Sequence, residues 1–90
     1  MYLRVLNFKF PNELAKKSVI ALTRNTTQDQ FKNGLLMRLH ADVSQNISVA
    51  VLLWRSKKDF EEAYKVFGSK FIADMKELGT IVTINEGPAE

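Results

Sequence analysis

Five polar or aromatic side chains of this 90-residue sequence are candidates to bind a ligand: Asn7, His40, Trp54, Tyr64 and Phe67. Asn7 lies among apolar neighbours in a strand pattern, where asparagine is disfavoured, so its amide is a candidate to bind a polar group of a ligand. The alternative is an amide that hydrogen-bonds to the backbone. His40 has an ordinary pKa near neutrality and is a candidate acid–base group. The alternative is a structural histidine on a polar strand face shared with Arg38 and Asp42.

The aromatic candidates belong to the apolar run from Asn46 to Trp54 and to the helical pattern that follows it. Trp54 ends the run, and its indole could stack on a flat substrate at a pocket mouth or fill the core beneath the next helix. Tyr64 and Phe67 recur at helical spacing with Phe60 and Phe71. Such a stripe forms either one wall of a pocket or ordinary core packing. The Tyr64 hydroxyl requires a polar partner in either case.

Several kinds of chemistry are excluded by residues that the sequence lacks. It contains no cysteine, which removes disulfides, thiol nucleophiles and cysteine-ligated metals. It contains one histidine, so one chain cannot form a metal site from two histidines. Serine–histidine pairs, glycine-rich phosphate loops and paired carboxylates in a pocket are also missing. The sequence therefore predicts no metal and no cofactor, and it leaves open whether the protein is an enzyme.

Charge and hydropathy limit the classes of partner and the location. The net charge of +3 arises from 13 basic and 10 acidic residues that are interspersed, whereas nucleic-acid-binding surfaces show a clustered excess. The longest apolar run, from Val49 to Trp54, is far too short to cross a bilayer. Arg4 and Lys9 interrupt the apolar pattern that a secretory signal requires. We expect a cytoplasmic protein with neither a nucleic-acid nor a membrane partner.

Strand and helix patterns alternate through one expected domain over residues 1–90, with no linker or internal repeat. The resulting order, β-α-β-β-α-β, is that of the ferredoxin-like fold, an α+β architecture with a four-stranded antiparallel sheet and both helices on one face. The predicted strands cover residues 2–10, 35–43, 47–54 and 80–85, and the helices begin at Pro11 or Asn12 and at Ser56. Residues 86–90 form a short tail.

Both helices carry a feature that the pattern alone does not resolve. The buried stripe of the first helix is predicted to contain Leu14, Ser18, Ala21 and Leu22. That helix either continues past Asn25 or restarts there, because Thr26 with Asp29 resembles a capping box. In the second helix Gly68 costs roughly 1 kcal/mol relative to alanine, which indicates a close contact or a local break.

The third strand is apolar on both faces. Ile47, Val49, Val51 and Leu53 lie on one face, and Ala50, Leu52 and Trp54 lie on the other. The two helices cover only one face of the sheet, yet each large aliphatic side chain removed from water contributes about 1.5 to 3 kcal/mol. The pattern therefore predicts a homodimer joined through the sheet. The alternative is a cover formed by the chain itself, from residues 86–90 or a loop.

Two segments support a comparison with a known family. Gly34-Leu precedes the second strand, and Leu-Leu-Trp54-Arg-Ser-Lys-Lys-Asp-Phe60 joins the third strand to the second helix. The chain resembles the dimeric α/β-barrel superfamily, particularly the antibiotic biosynthesis monooxygenase-like proteins. The resemblance implies a homodimer whose two sheets form a shared barrel, with a pocket in each subunit between sheet and helices. Some members oxygenate aromatic polyketides without metal or flavin, others degrade haem, and many have no known activity.

The resemblance to the haem-degrading branch is limited to one position. Asn7 matches an asparagine on the first strand of those enzymes. Ala63 and Ala73 stand where they carry a pocket tryptophan and the haem-ligating histidine, and no histidine follows His40. Without an axial nitrogen the iron has no protein ligand, so we expect no haem ligation.

Three function hypotheses follow. The first is a small-molecule pocket protein for an apolar or aromatic ligand, which as an enzyme would be a cofactor-independent monooxygenase-like or isomerase-like protein. The second is an RNA-binding module, because RNA recognition motifs share this element order, although Arg4 takes the place of an aromatic residue in their first-strand motif. The third is a non-enzymatic dimerisation or regulatory domain.

Overall fold

The computed structural model describes all residues from Met1 to Glu90, and its elements follow the predicted ferredoxin-like order. The sheet has the strand order β2-β3-β1-β4, and every neighbouring pair is antiparallel. The elements are β1 Tyr2–Lys9, α1 Glu13–Lys32, β2 Leu35–Ser44, β3 Ile47–Trp54, α2 Lys57–Glu77 and β4 Ile81–Pro88.

Short polar side chains set where both helices begin. Asn12 Oδ1 accepts a hydrogen bond from the Ala15 amide at 2.8 Å, and Ser56 Oγ accepts one from the Asp59 amide at 3.1 Å. Each bond satisfies an amide that the first helical turn leaves without a partner. The first helix does not restart at Thr26, whose hydroxyl lies 3.1 Å from the Thr23 carbonyl of the preceding turn. Thr26 is therefore an interior residue of α1.

The predicted buried stripe of α1 is wrong in its phase. Leu14 is 75% exposed, whereas Ala15 and Val19 are buried against the sheet. Side-chain hydropathy alone favours Leu14 for the inner face, but it does not set the rotation of the helix. The rotation of a helix is set by the residues that fit closely against the sheet, and here these are small or β-branched. Leu22 packs against the core, as predicted.

The helices cover the face of the sheet that carries the core, and the first three residues of the predicted tail belong to the sheet. Glu86, Gly87 and Pro88 extend β4 and stand opposite Arg4, Leu3 and Tyr2 of β1. They cannot fold over the other face, which excludes the C-terminal cover that the sequence left open. The core consists of side chains from β1, β3 and α2 together with Phe10, Val19 and Leu35: Tyr2, Leu6, Phe8, Ala50, Leu52, Trp54, Phe60, Ala63 and Met75.

The second face of the sheet, which we call the open face, has no element packed on it. Four of its large apolar side chains are exposed: Leu39 by 58%, Ile81 by 63%, Met37 by 39% and Ile47 by 37%. The prediction that the third strand is apolar on both sides is confirmed. The open face carries no aromatic residue, because strand alternation directs the aromatic rings of the sheet to the helix side.

Candidate functional site

A cavity of about 220 Å³ lies between the helix side of the sheet and the two helices. It is larger than the engineered cavity of about 150 Å³ that holds benzene in another protein. The cavity reaches solvent along α2, where Val66 is 70% and Tyr64 is 41% exposed. Most of its lining residues are hydrophobic: Leu6, Phe8, Leu22, Ala50, Leu52, Trp54, Phe60, Ala63, Tyr64, Val66, Phe67, Phe71, Ile72 and Ile84.

An aromatic cluster centred on Phe60 forms one end of the cavity. The Phe60 ring stacks on Tyr2 at 5.7 Å between centroids and meets Trp54 edge-on at 5.8 Å. Tyr64, one turn later in α2, lies 5.6 Å from Phe60. Residues four apart share one face of a helix, so the i,i+4 spacing of Phe60 and Tyr64 accounts for this contact.

Trp54 belongs to the core, and its side chain also lines the cavity. Its side chain is 1% exposed. The indole Nε1 has no hydrogen-bond acceptor within the protein. A buried donor without a partner costs about 1 to 3 kcal/mol. Because Nε1 exposes less than 1 Å² to solvent, Trp54 presents its ring rather than this donor to the cavity.

Arg4 is a cavity residue that is absent from the predicted site. Its Nε donates a hydrogen bond to Glu86 Oε2 at 2.6 Å, and its guanidinium lies 4.1 Å from the centroid of the Phe60 ring. The ion pair follows from the strand register, in which Arg4 and Glu86 stand opposite each other. The period-two alternation of β1 indicates that Arg4 lies on the helix side of the sheet, because Arg4 falls on the same side as Tyr2 and Leu6.

Arg38 is a second cavity residue that the predicted site lacked. Arg38 and Arg4 both stand opposite Leu52, so the three residues form one row across β2, β3 and β1. Arg38 Nη2 donates a hydrogen bond to Thr23 Oγ1 at 3.1 Å, and no carboxylate lies within 4.0 Å of its guanidinium. Burial, and secondarily the charge of Arg24, lower the pKa of Arg38.

The structure divides the five predicted site residues into two groups. Trp54, Tyr64 and Phe67 meet at the cavity. Asn7 lies on the open face, opposite Val49 and Thr83, and does not line the cavity.

His40 faces the helices but lies outside the cavity lining, beside Asp42 at 3.9 Å between Nε2 and Oδ1. Burial is the main cause that lowers the pKa of His40, and the Asp42 carboxylate opposes this shift. Arg38, Arg24 and Lys16 add to the lowering. A histidine with this environment favours its neutral form near pH 7.

The cavity walls do not fit a haem. Ala63 lines the cavity and Ala73 is exposed on α2, so neither position offers a nitrogen ligand. His40 is on β2 and is not a lining residue. No group of three or more histidine, aspartate or glutamate side chains is arranged to hold a metal ion. Neither helix combines the length and apolar character that crossing a membrane requires.

Comparisons with known proteins find relatives in structure only. No protein-family model matches the sequence, and no curated protein matches it. A dimeric ferredoxin-like protein from an uncultured marine organism superimposes with a TM-score of 0.73 at 16% identity, over 99% of this chain and 94% of the other. A candidate antibiotic biosynthesis monooxygenase from Deinococcus radiodurans gives 0.78 at 18% identity, over 100% and 93%.

SnoaB from Streptomyces nogalater, a cofactor-independent oxygenase, gives a TM-score of 0.78 at 17% identity, over 99% of this chain and 92% of the other. At sequence identities this low, the structural similarity shows a shared fold only. The predicted resemblance is confirmed at that level: the chain has the ferredoxin-like fold of the antibiotic biosynthesis monooxygenase-like proteins.

Proposed function

We propose that this protein binds a small apolar or aromatic molecule in the cavity between sheet and helices, and that it acts as a homodimer. The cavity itself is the observation that carries the proposal. It is bounded by Trp54, Phe60, Tyr64 and Phe67, with a small number of polar groups among apolar walls. Small-molecule sites have this composition, in which apolar walls supply affinity and a few polar groups fix orientation.

The homodimer is supported by the open face. Leu39, Ile47 and Ile81 are exposed there in a single chain, and no segment of the chain covers them. Leu39, Val51 and Val5 stand side by side across β2, β3 and β1, and contiguous apolar surface of this kind marks an interaction site in soluble proteins. The structural neighbour from the marine organism is described as dimeric, which agrees with a second copy as the cover.

Oxidation of the bound molecule without metal or flavin is a second candidate function, favoured by the likeness to SnoaB. The substrate must then supply all the electrons. For 1-naphthol and one O₂, one oxygen atom enters the ring to give 1,4-naphthoquinone, and the other leaves as water with the two hydrogens that the substrate loses. An oxygen electrode measures this consumption directly. An isomerase-like reaction would proceed without oxygen uptake.

A cavity-filling substitution tests the binding proposal. Ala63→Leu places three additional carbon atoms into the cavity wall, whereas Ala73→Leu makes the same change at an exposed position of α2 outside the cavity. We expect 1-naphthol, followed by its fluorescence, to bind the wild type and Ala73→Leu alike and to bind Ala63→Leu at least roughly tenfold more weakly. Equal binding by all three proteins would contradict a ligand in this cavity.

The remaining hypotheses make different predictions for the same protein. A non-enzymatic dimerisation or regulatory domain would remain dimeric and would bind no aromatic probe in any variant. An RNA recognition motif stacks bases on aromatic side chains of its open sheet face. The open face of this protein carries aliphatic residues such as Leu3, Val51 and Leu53 in those positions. We expect no RNA retention in a filter-binding assay at low salt.

A further inference from the structure

The two arginines of the cavity differ in how their charges are balanced. Arg4 is held by Glu86 at 2.6 Å and covers the face of Phe60. Arg38 has one side-chain partner, the uncharged Thr23 hydroxyl. A guanidinium has five N–H donors, so most donors of Arg38 remain free. Arg38 is therefore the arginine that can accept a new anionic partner.

The other charges around the cavity do not compensate Arg38. Lys70 and Asp74 both line the cavity and carry opposite charges. Arg4 has its carboxylate from the neighbouring strand. Arg24 adds positive charge near Arg38 and contributes, after burial, to lowering the pKa of Arg38. The cavity wall at β2 therefore has an uncompensated positive charge.

The hydroxyl groups of Thr23 and Thr26, which line the cavity near Arg38, are already used in hydrogen bonds. The Thr23 hydroxyl donates to the Ile20 carbonyl at 2.9 Å and accepts from Arg38 at 3.1 Å, so both of its roles are filled. The Thr26 hydroxyl donates to backbone carbonyls of α1. Neither hydroxyl has a free proton for a ligand, so the donors that remain on this wall are the Arg38 guanidinium and the Gln30 amide, of which only the guanidinium carries a charge. The opposite end contains the aromatic cluster around Phe60.

We propose that the ligand of this cavity is an anion with an aromatic or apolar body, whose carboxylate or phenolate is bound by the free N–H groups of Arg38. This inference rests on the proposed function, because it names the chemical class of the molecule that the cavity binds. Guanidinium–carboxylate pairs form two parallel hydrogen bonds and are stronger in a partly buried site than in water. Arg38 thus selects the charge of the ligand, and the aromatic cluster selects its shape.

The experiment compares two probes of nearly equal shape, 2-naphthoate and the neutral 2-naphthamide, by titration calorimetry at pH 7.5. We expect the wild type to bind 2-naphthoate at least roughly tenfold more tightly than 2-naphthamide. Arg38→Gln should lose this preference while still binding the amide. Arg24→Gln removes the same charge from a residue outside the cavity lining and should retain most of the preference.

Each outcome separates this inference from the proposed function. Equal binding of both probes by the wild type, or an unchanged preference in Arg38→Gln, would overturn the role of Arg38 while leaving the cavity as a binding site. Binding of neither probe by the wild type would contradict both proposals. If Arg38→Gln does not fold, Arg38→Lys provides the second variant. It keeps the charge but not the planar fork, and we expect a weaker but persistent preference for 2-naphthoate.

Discussion

The ring of Tyr64 lies directly against Gly68, one turn later in α2, where a β-carbon would overlap the ring atoms Cγ, Cδ2 and Cε2. The helix is continuous through this position. Of the two reasons that the sequence offered for a glycine here, the close contact is therefore confirmed and the break is not found. Gly68 gives up roughly 1 kcal/mol of helix propensity relative to alanine. Because Gly68 has no β-carbon, the Tyr64 ring can lie beside Phe60 at the mouth of the cavity.

The substitution Gly68→Ala is expected to displace the Tyr64 ring from the cavity mouth. The ligand then loses its own contact with the Tyr64 ring, and an aromatic contact of about 0.5 to 1.5 kcal/mol corresponds to 1-naphthol binding that is weaker by roughly threefold to tenfold. The free energy of unfolding should change by less than about 1 kcal/mol, because the helix propensity of alanine offsets the lost contact between Tyr64 and Phe60. Fluorescence titration and urea denaturation measure the two quantities.

Two further variants separate the clash from general effects. Ser69→Ala raises helix propensity at an exposed neighbouring position and should leave 1-naphthol binding unchanged. In a Tyr64→Ala background the clash is absent, so adding Gly68→Ala should stabilise the protein by about 1 kcal/mol. Wild-type affinity in Gly68→Ala would show that Tyr64 does not contribute to the cavity mouth.

The ion pair between Arg4 and Glu86 should contribute to stability although Glu86 is 37% exposed. Arg4 is only 11% exposed and loses its sole carboxylate partner in Glu86→Gln. We expect the free energy of unfolding in urea to fall by about 1 kcal/mol, a value reduced for solvent screening at Glu86. The control is Lys17→Gln, which removes the highly exposed pair with Glu13, keeps the acid of the first turn of α1 and should cost less than about 0.5 kcal/mol. Equal losses in both variants would contradict a special role for the Arg4 pair.

His40 should make stability depend on pH in a defined direction. Burial lowers its pKa below the ordinary value of 6.5, so the unfolded chain binds more protons than the folded chain between the two pKa values. Stability should therefore fall as the pH falls through 6.5 toward the folded pKa. Urea denaturation measures this as a lower free energy of unfolding at pH 5.5 than at pH 7.5, roughly one unit on either side of the ordinary pKa. His40→Asn should make the difference between the two pH values smaller.

Proton NMR of the His40 ring tests the causes of the shift. Arg38 lowers the pKa and Asp42 raises it. We expect a titration midpoint below 6.5 in the wild type, a higher midpoint in Arg38→Gln and a lower midpoint in Asp42→Asn. A wild-type midpoint at or above 6.5 would show that burial of the ring does not dominate.

Local sequence signals predicted most of the fold. Period-two alternation gave the bounds of β3 from Ile47 to Trp54, and Ser56 with Asp59 marked the beginning of α2. Such signals lie within a few residues and do not depend on distant neighbours. The phase of α1 was wrong because it is decided by the sheet surface on which Ala15 and Val19 pack.

The candidate site was less predictable, since its charges act between strands that are distant in the chain. The aromatic residues Trp54, Tyr64 and Phe67 were predicted because apolar runs and helical spacing identify them. The partner of Arg4 lies 82 residues away, and Arg38 joins the same row only through the register of β3. The side-chain chemistry of Asn7 and His40 indicates a binding or catalytic role, but their strand positions place both outside the cavity.

The open face predicts a dimer that one charge can dissociate. Leu39 lies on this face and is 58% exposed in a single chain, so Leu39→Glu should have little effect on the fold of one subunit. A carboxylate enclosed between two apolar sheets without a partner costs several kcal/mol, and we expect the dimer dissociation constant to rise by roughly 100-fold or more. Leu14→Glu, at a 75% exposed position of α1, is the matched control. Sedimentation equilibrium should show a dimer for the wild type and Leu14→Glu and a single chain for Leu39→Glu. A single chain for the wild type at high concentration would contradict the homodimer and leave the apolar open face without a cover.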